Sequence, residues 1–253
     1  MPLVSTPAIV LSALRYSETS KIVRLATREH GVQSAIAKGA LRPKSRFGAS
    51  LQVLSEGQAH MLTKEHRELH LLTAFDLAQL HVGLADDLRR YATATALAEI
   101  MLRFAAPDPH PESFDRLRDG MALLEQARSE VVDALAVRVL WGLVSVLGFA
   151  PSMDACARDG APLSLRGPLP FSTQDGGALC PACAVQQGAT QLPAQARADL
   201  VALLAPAADL PALDRKHCAA HRRLLARYIH HHLGEESDLP ALAFWVRRQW
   251  ETV

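Results

Sequence analysis

The feature that most constrains this chain is a change of hydrophobic period near Asp76. Before it, from Ala8 to about Leu77, the apolar runs are short and rich in β-branched residues: "AIVLSALRY", "KIVRLATREHGVQSAIAKG", "LQVLSEGQAHMLTK" and "ELHLLTAFDL". In "KIVRLAT", Ile22 and Arg24 face one way while Val23 and Leu25 face the other. That period of two is the mark of a strand. Five short strands in about 70 residues suit a small closed barrel better than an open sheet, because closure removes exposed edges.

After Asp76 the apolar step becomes mostly three or four. "LADDLRRYATATALAEIMLRFA" carries Leu84, Leu88, Tyr91, Leu97, Ile100, Met101 and Phe104, and "PDPHP" stops it. This is an amphipathic helix. "ESFDRLRDGMALLEQA" and "EVVDALAVRVLWGLVSVLGF" read as two more, the second apolar on nearly all sides and so central to a bundle. "ADLVALLA", "HRRLLARYIHHHLG" and "PALAFWVRRQW" supply further helices. Between Pro151 and Gly188 the chain is rich in Gly, Pro and Cys and has little periodicity, so it is a loop that needs something to hold it. The expected fold class is α+β. A five-stranded β-barrel occupies residues 1–80, and an all-α helical bundle occupies 81–253 with a cysteine insert at about 151–188.

The 253 residues suffice for one large domain or two small ones with real cores. At 49% hydrophobic and 21% charged residues, the composition excludes a disordered chain. No apolar run approaches the roughly 20 residues that span a bilayer. The N-terminus lacks a basic n-region and a clear cleavage site, so it reads as mature sequence. Four cysteines, three of them crowded into one stretch, do not form a secreted disulfide framework, and the expected compartment is the cytoplasm.

A formal net charge of +1 says nothing about partners, but its distribution does. The stretch "KGALRPKSRFG" (Lys38 to Gly48) holds Lys38, Arg42, Lys44 and Arg46 and no acid. Between Arg15 and Arg46 eight cations face two acids, whereas between Asp86 and Asp133 ten acids face six arginines. A basic face on a small barrel is the electrostatic footprint of polyanion binding. Loop Lys and Arg side chains grip backbone phosphates without reading bases, and such binding weakens steeply with salt. The expected contacts are Arg15, Lys21, Arg24, Lys38, Arg42, Lys44 and Arg46; Arg28 is set apart because it falls in the turn before Gly31. Tyr16, Phe47 and Phe75 are the candidates for base stacking. The plain alternative is that these cations only solvate one barrel face.

The insert contains Cys180-Pro-Ala-Cys183, a knuckle that lets two thiolates reach one tetrahedral ion. Its first half offers Cys156, with Asp159 three residues on, giving Cys156-x-x-Asp159 and Cys180-x-x-Cys183. This is a zinc ribbon with one sulfur replaced by a harder carboxylate donor. Three readings stand side by side: a structural Cys₃Asp zinc site, three cysteines completed by His217 or Cys218, and a decayed site without metal. The triple histidine His230 to His232 reads as a solvated helix end, since consecutive helical residues point in different directions. His60, His66 and His70 take the same plain reading, and Trp245 and Trp250 read as anchors of a terminal helix. No Walker loop, GxSxG elbow, HExxH or acid pair marks an enzyme.

The barrel segment from "YSETSKIVRLATREHG" through "KGALRPKSRFG" to "LHLLTAFDL" resembles the N-terminal domain of the RecO family of bacterial recombination-repair proteins. "GFAP" (Gly148 to Pro151), Cys156, the pair Gly176 and Gly177, and "CPAC" resemble that family's zinc module. The resemblance spans essentially the whole chain and departs from the four-cysteine form at Asp159. It implies an OB-fold barrel, a helical domain with a zinc-ribbon-like insert, and no enzymatic activity. It also implies binding to single- and double-stranded DNA, annealing of complementary strands, and help in loading RecA onto DNA coated by single-strand-binding protein (SSB). The partners it implies are RecR and the acidic SSB C-terminal tail, with no membrane. Arg222, Arg223 and Arg227 are expected either to extend the DNA track or to receive that tail. Two rivals remain: an adaptor whose basic surface docks acidic tails, and a metal-dependent nuclease or hydrolase.

Overall fold

A computed structural model describes residues 2–63, 67–105, 108–164, 166–185, 189–233, 239–248 and 250. Five strands, β1 (Leu3–Arg15), β2 (Lys21–Thr27), β3 (Gly31–Ala37), β4 (Glu56–Leu62) and β5 (Leu69–Gln79), close into a barrel in the order β1-β2-β3-β5-β4. β1 closes it by serving two partners: Leu3 to Ile9 lie opposite β4, and Ala8 to Arg15 lie opposite β2. A register shift between Val10 and Ser12 accompanies the change of partner, as bulges do where a strand must bend. The β3–β5 pairing is parallel and all others are antiparallel. This is the OB-type barrel expected from the sequence.

The period of two in β2 sorts its side chains as anticipated. Val23 and Leu25 are fully buried among Ala8, Val10, Ala35, Met61 and Leu72, while Ile22 and Arg24 face out. Two short helices-worth of sequence then pack with the barrel, α1 (Leu88–Phe104) and α2 (Pro111–Gln126). Asp87 caps α1 by accepting from Arg89 N–H at 2.8 Å, which satisfies one of the donors a helix start leaves open. Residues 1–126 form one compact unit and residues 127–253 another.

In the second unit α3 (Val132–Val144) buries nine of its thirteen residues and packs on α5 (Ala194–Leu204) and α6 (Arg215–Leu233), as the all-round apolar sequence required. The helix continues at both ends, so that Ser129–Phe149 makes a 21-residue run that holds an 18-residue stretch of mean hydropathy 1.9. By length and composition this corrects the expectation that no apolar run nears a bilayer span: Asp133 and Arg138 interrupt the sequence but not the helix. Half of that stretch is buried, and Arg138 donates to the carbonyls of Ala202, Ala208 and Asp209, which suits a core helix. Between α3 and α5 lies a three-stranded sheet, β7-β6-β8, of β6 (Leu169–Ser172), β7 (Gly177–Ala178) and β8 (Thr190–Leu192), with α4 (Pro181–Ala184) beside it. The terminal helix α7 (Pro240–Arg247) is held by the fully buried Trp245.

Candidate nucleic-acid interface and metal centre

The basic stretch leaves the barrel at Ala37 as a chain of tight turns. Gly39 takes φ 74°, a conformation that favours glycine. Ala40, Phe47 and Leu51 then return to the barrel core, while Lys38, Arg42, Lys44 and Arg46 stay exposed. Anchors therefore alternate with cations. Leu41 N–H donates to Thr19 O at 2.9 Å and Lys21 Nζ donates to Leu51 O at 3.3 Å, so the turns are tied to the β1–β2 connection. The Arg46 guanidinium lies 5.2 Å from the Phe47 ring centre, within cation–π range.

Strand register explains the gathering of charge. Arg15 pairs with Lys21, and Lys21 with Ala37, so Arg15, Lys21 and Lys38 stand at one end of three neighbouring strands. Arg24 lies further along, on the outer face between Ser12 and Ser34. Arg28 is committed elsewhere: its guanidinium meets Asp115 of α2 at 3.0 Å, which holds the Asp115 carboxyl below the usual carboxylate range. Of the three stacking candidates only Tyr16, 53% exposed, is available; Phe47 (3%) and Phe75 (6%) are core. A barrel this small must be filled from its rim, and sequence alone does not say which aromatic does so.

The second unit brings Cys156, Asp159, Cys180 and Cys183 together, with donor atoms all within 4.8 Å of one another. Asp159 Oδ2 lies 3.4 Å from Cys180 Sγ and 3.2 Å from Cys183 Sγ. Donors about 2.0–2.3 Å from a tetrahedral ion stand about 3.3–3.8 Å apart, so this set fits a zinc-like cation. Two knuckles build it. In the first, Cys156 N–H donates to Ala161 O and Gly160 N–H to Cys156 O. In the second, Cys180 caps α4 by accepting from Cys183 N–H. The knuckles meet because Gly177 lies against Ser152; a Cβ there would stand 2.4 Å from Ser152 O.

The electrostatics suit a cation. The Ala161 N–H and the neighbouring thiols hold the Asp159 carboxyl well below its usual range. Sharing with that carboxylate pushes the Cys183 thiol up to about 12. Burial opposes ionisation of Cys156, but N–H groups of Cys180, Asp159 and Arg158 outweigh it and lower the thiol. A divalent ion would relieve the mutual repulsion of four such donors as anions. His217 is instead paired with Asp214 at 2.8 Å, and Cys218 is buried with its thiol raised to about 11 by burial.

The remaining histidines divide. His60 contacts Asp76 at 2.8 Å and His70 contacts Gln33 at 2.9 Å, while His66 lies outside the described residues. The expected solvated triplet is only partly so: His230 is exposed, but His232 packs against Tyr228 with ring centres 4.3 Å apart and planes tilted by 42°. Sequence reading missed His81, which is buried with Nδ1 2.8 Å from Glu125 and Nε2 3.3 Å from Glu56. A single histidine amid loop residues carries no pattern that would flag it. Arg223 and Arg227 on α6, with Arg247 on α7, line a cavity of about 480 Å³ whose floor includes Ala220, Ala226 and Val246.

Together these features define a class: a protein built on an OB-type barrel with a cationic rim, carrying a cysteine–aspartate knuckle among helices. Two family models match it, "Recombination protein O N terminal" over residues 1–81 and "Recombination protein O C terminal" over residues 85–239. The chain belongs to the recombination protein O (RecO) family of DNA repair proteins. The DNA repair protein RecO of Anaeromyxobacter dehalogenans is 33% identical over 242 residues, covering 92% of this chain and 93% of that one. The RecO of Streptomyces griseus is 33% identical over 245 residues, with 92% and 95% covered. That of a Nocardioides species is 35% identical over 249 residues, with 94% and 96% covered.

Proposed function

We propose that this chain is a non-enzymatic mediator that binds DNA through its sugar-phosphate backbone, anneals complementary strands and helps load RecA onto SSB-coated DNA. The observation that carries the reading is the loop of residues 38–51, whose core anchors hold Lys38, Arg42, Lys44 and Arg46 out into solvent beside Arg15 and Lys21. Arg24 on the outer face extends the contact surface. Annealing needs no covalent step. Two strands repel through their phosphates; neutralising both lowers that barrier, and base pairing supplies the driving force. RecR and the SSB tail are the protein partners, the nucleoid in the cytoplasm is the place of action, and zinc at Cys156, Asp159, Cys180 and Cys183 serves as a structural pin.

The adaptor reading is favoured by one observation of its own, the α6–α7 cavity with an apolar floor and Arg223, Arg227 and Arg247 around it. A tail that ends in acids and apolar groups matches that lining. The two activities separate by experiment. Replacing Lys38, Arg42, Lys44 and Arg46 by Ala weakens DNA binding and reduces its salt slope by about 3, at about 0.7 per single-strand phosphate contact. Replacing Arg223 and Arg227 by Ala weakens binding of an SSB-tail peptide and spares the DNA. A quadruple variant that binds DNA like the parent at about 0.1 M salt removes the loop assignment.

A further inference from the structure

Asp159 divides its oxygens. Oδ1 accepts from Ala161 N–H at 3.0 Å, while Oδ2 lies 3.4 Å from the Cys180 sulfur and 3.2 Å from that of Cys183. The carboxylate thus turns one oxygen to the donor cluster and keeps the other on the backbone. Arg158 stands between the two donors of the first knuckle, and both sides of its fork are used. Nε and Nη2 donate to Asp175 Oδ1 at 3.0 Å and 2.8 Å, and Nη2 also to Oδ2 at 3.0 Å. Nη1 reaches the Cys183 carbonyl at 3.4 Å. Asp175 is fixed in turn: its N–H donates to Ser172 Oγ at 3.1 Å, and its side chain is only 15% exposed. One guanidinium therefore ties the first knuckle, the turn between β6 and β7, and the second knuckle to one another.

We propose that the Arg158–Asp175 pair is a positioning clasp, outside the donor set, that compensates for the missing sulfur at Asp159 and sets how firmly the knuckle retains its metal ion. The inference rests on the metal reading of Cys156, Asp159, Cys180 and Cys183 above. A carboxylate is a harder donor than a thiolate, so Asp159 grips a zinc-like ion less firmly than a fourth sulfur would. The first knuckle is then the half readier to open. The clasp opposes that opening from the residue next to Asp159. Charge acts in the same sense. Three thiolates and one carboxylate around a divalent ion leave an anionic centre, and a guanidinium across the two knuckles offsets part of that charge. Lysine matches the sign but not the two-sided fork, so shape is required as well as charge. Groups that orient a metal's donors in this way change its affinity by about 10–100-fold when removed.

The test measures zinc affinity on the full chain, by competition with a chromogenic chelator, for the parent, Arg158→Lys and Asp175→Asn. Each variant is expected to bind zinc about 10-fold more weakly. The double variant is expected to bind no more weakly than the worse single one, because the pair acts as a unit. In an Asp159→Cys background the effect of Arg158→Lys shrinks. The metal-free proteins melt at closely similar temperatures, and the cobalt-loaded variants show a weaker tetrahedral d–d absorption than the cobalt-loaded parent. An unchanged zinc affinity in Arg158→Lys and Asp175→Asn overturns the clasp and leaves the donor set standing. A melting loss as large without metal as with it also overturns the clasp, since the pair is then a plain ion pair of the fold. An effect of Arg158→Lys that stays as large beside Asp159→Cys overturns the compensation for the missing sulfur. A parent that takes up no zinc removes the metal reading itself, and the clasp with it.

Discussion

His81 shows how a residue without a sequence pattern can matter. It sits at φ 50°, buried, between Glu125 and Glu56. Burial pushes the imidazole down, but hydrogen bonds to both carboxylates outweigh it and raise it above its ordinary value near 6.5. A raised folded value means the protonated form is favoured by folding. The contribution is therefore full below about pH 6.5 and fades as pH rises through the folded value. The melting difference between parent and His81→Asn is expected to be larger at about pH 6 than at about pH 8.5, with Asn chosen because it tolerates a left-handed backbone. Asp159 is the second single-residue lever. Elemental analysis is expected to find about one zinc per chain in the parent, less in Asp159→Ala, and tighter retention against a chelator in Asp159→Cys, whose thiolate is the softer donor. The spacing of Cys156, Asp159, Cys180 and Cys183 made this set readable from the sequence, since a knuckle is a local object. His81 was not readable, because its partners come from residues 25 and 44 positions away.

At the scale of elements, periodicity carried the reading where one face of a strand or helix is buried. β2 alternates as its sequence does from Ile22 to Leu25 before Ala26 and Thr27 are buried too, and α3 is buried nearly all round. It carried less where the chain fills its own core from a loop. Phe47 sits in a cationic run and looks like a stacking platform, yet it is the central anchor that the barrel needs. Phe47→Ala is expected to cost about 3–5 kcal/mol, the range for truncating a buried aromatic. Chemical denaturation measures this, and a loss of DNA affinity follows only as the turns lose their hold. Arg28 teaches the same lesson with charge. Its place in the turn before Gly31 set it apart from the contact residues, but nothing local names its partner Asp115, 87 residues on.

For the molecule as a whole, the change of period near Asp76 falls just before β5 ends at Gln79, and the two family models meet a few residues further on, between residues 81 and 85. Compactness divides differently: α1 and α2 belong with the barrel, through Arg28–Asp115 and the His81 contacts to Glu56 and Glu125, and the first unit ends at Gln126. A period reports local geometry, whereas a unit boundary depends on contacts that no short window contains. A fragment of residues 1–126 is expected to show a cooperative unfolding transition at higher temperature than a fragment of residues 1–80, by differential scanning calorimetry.

The alternation of buried anchors and outward cations in residues 38–51 has an evolutionary consequence. Thermal robustness and grip reside on different side chains of one short segment. Selection can thus retune how firmly the protein holds nucleic acid, one charge at a time, without endangering the architecture that presents it.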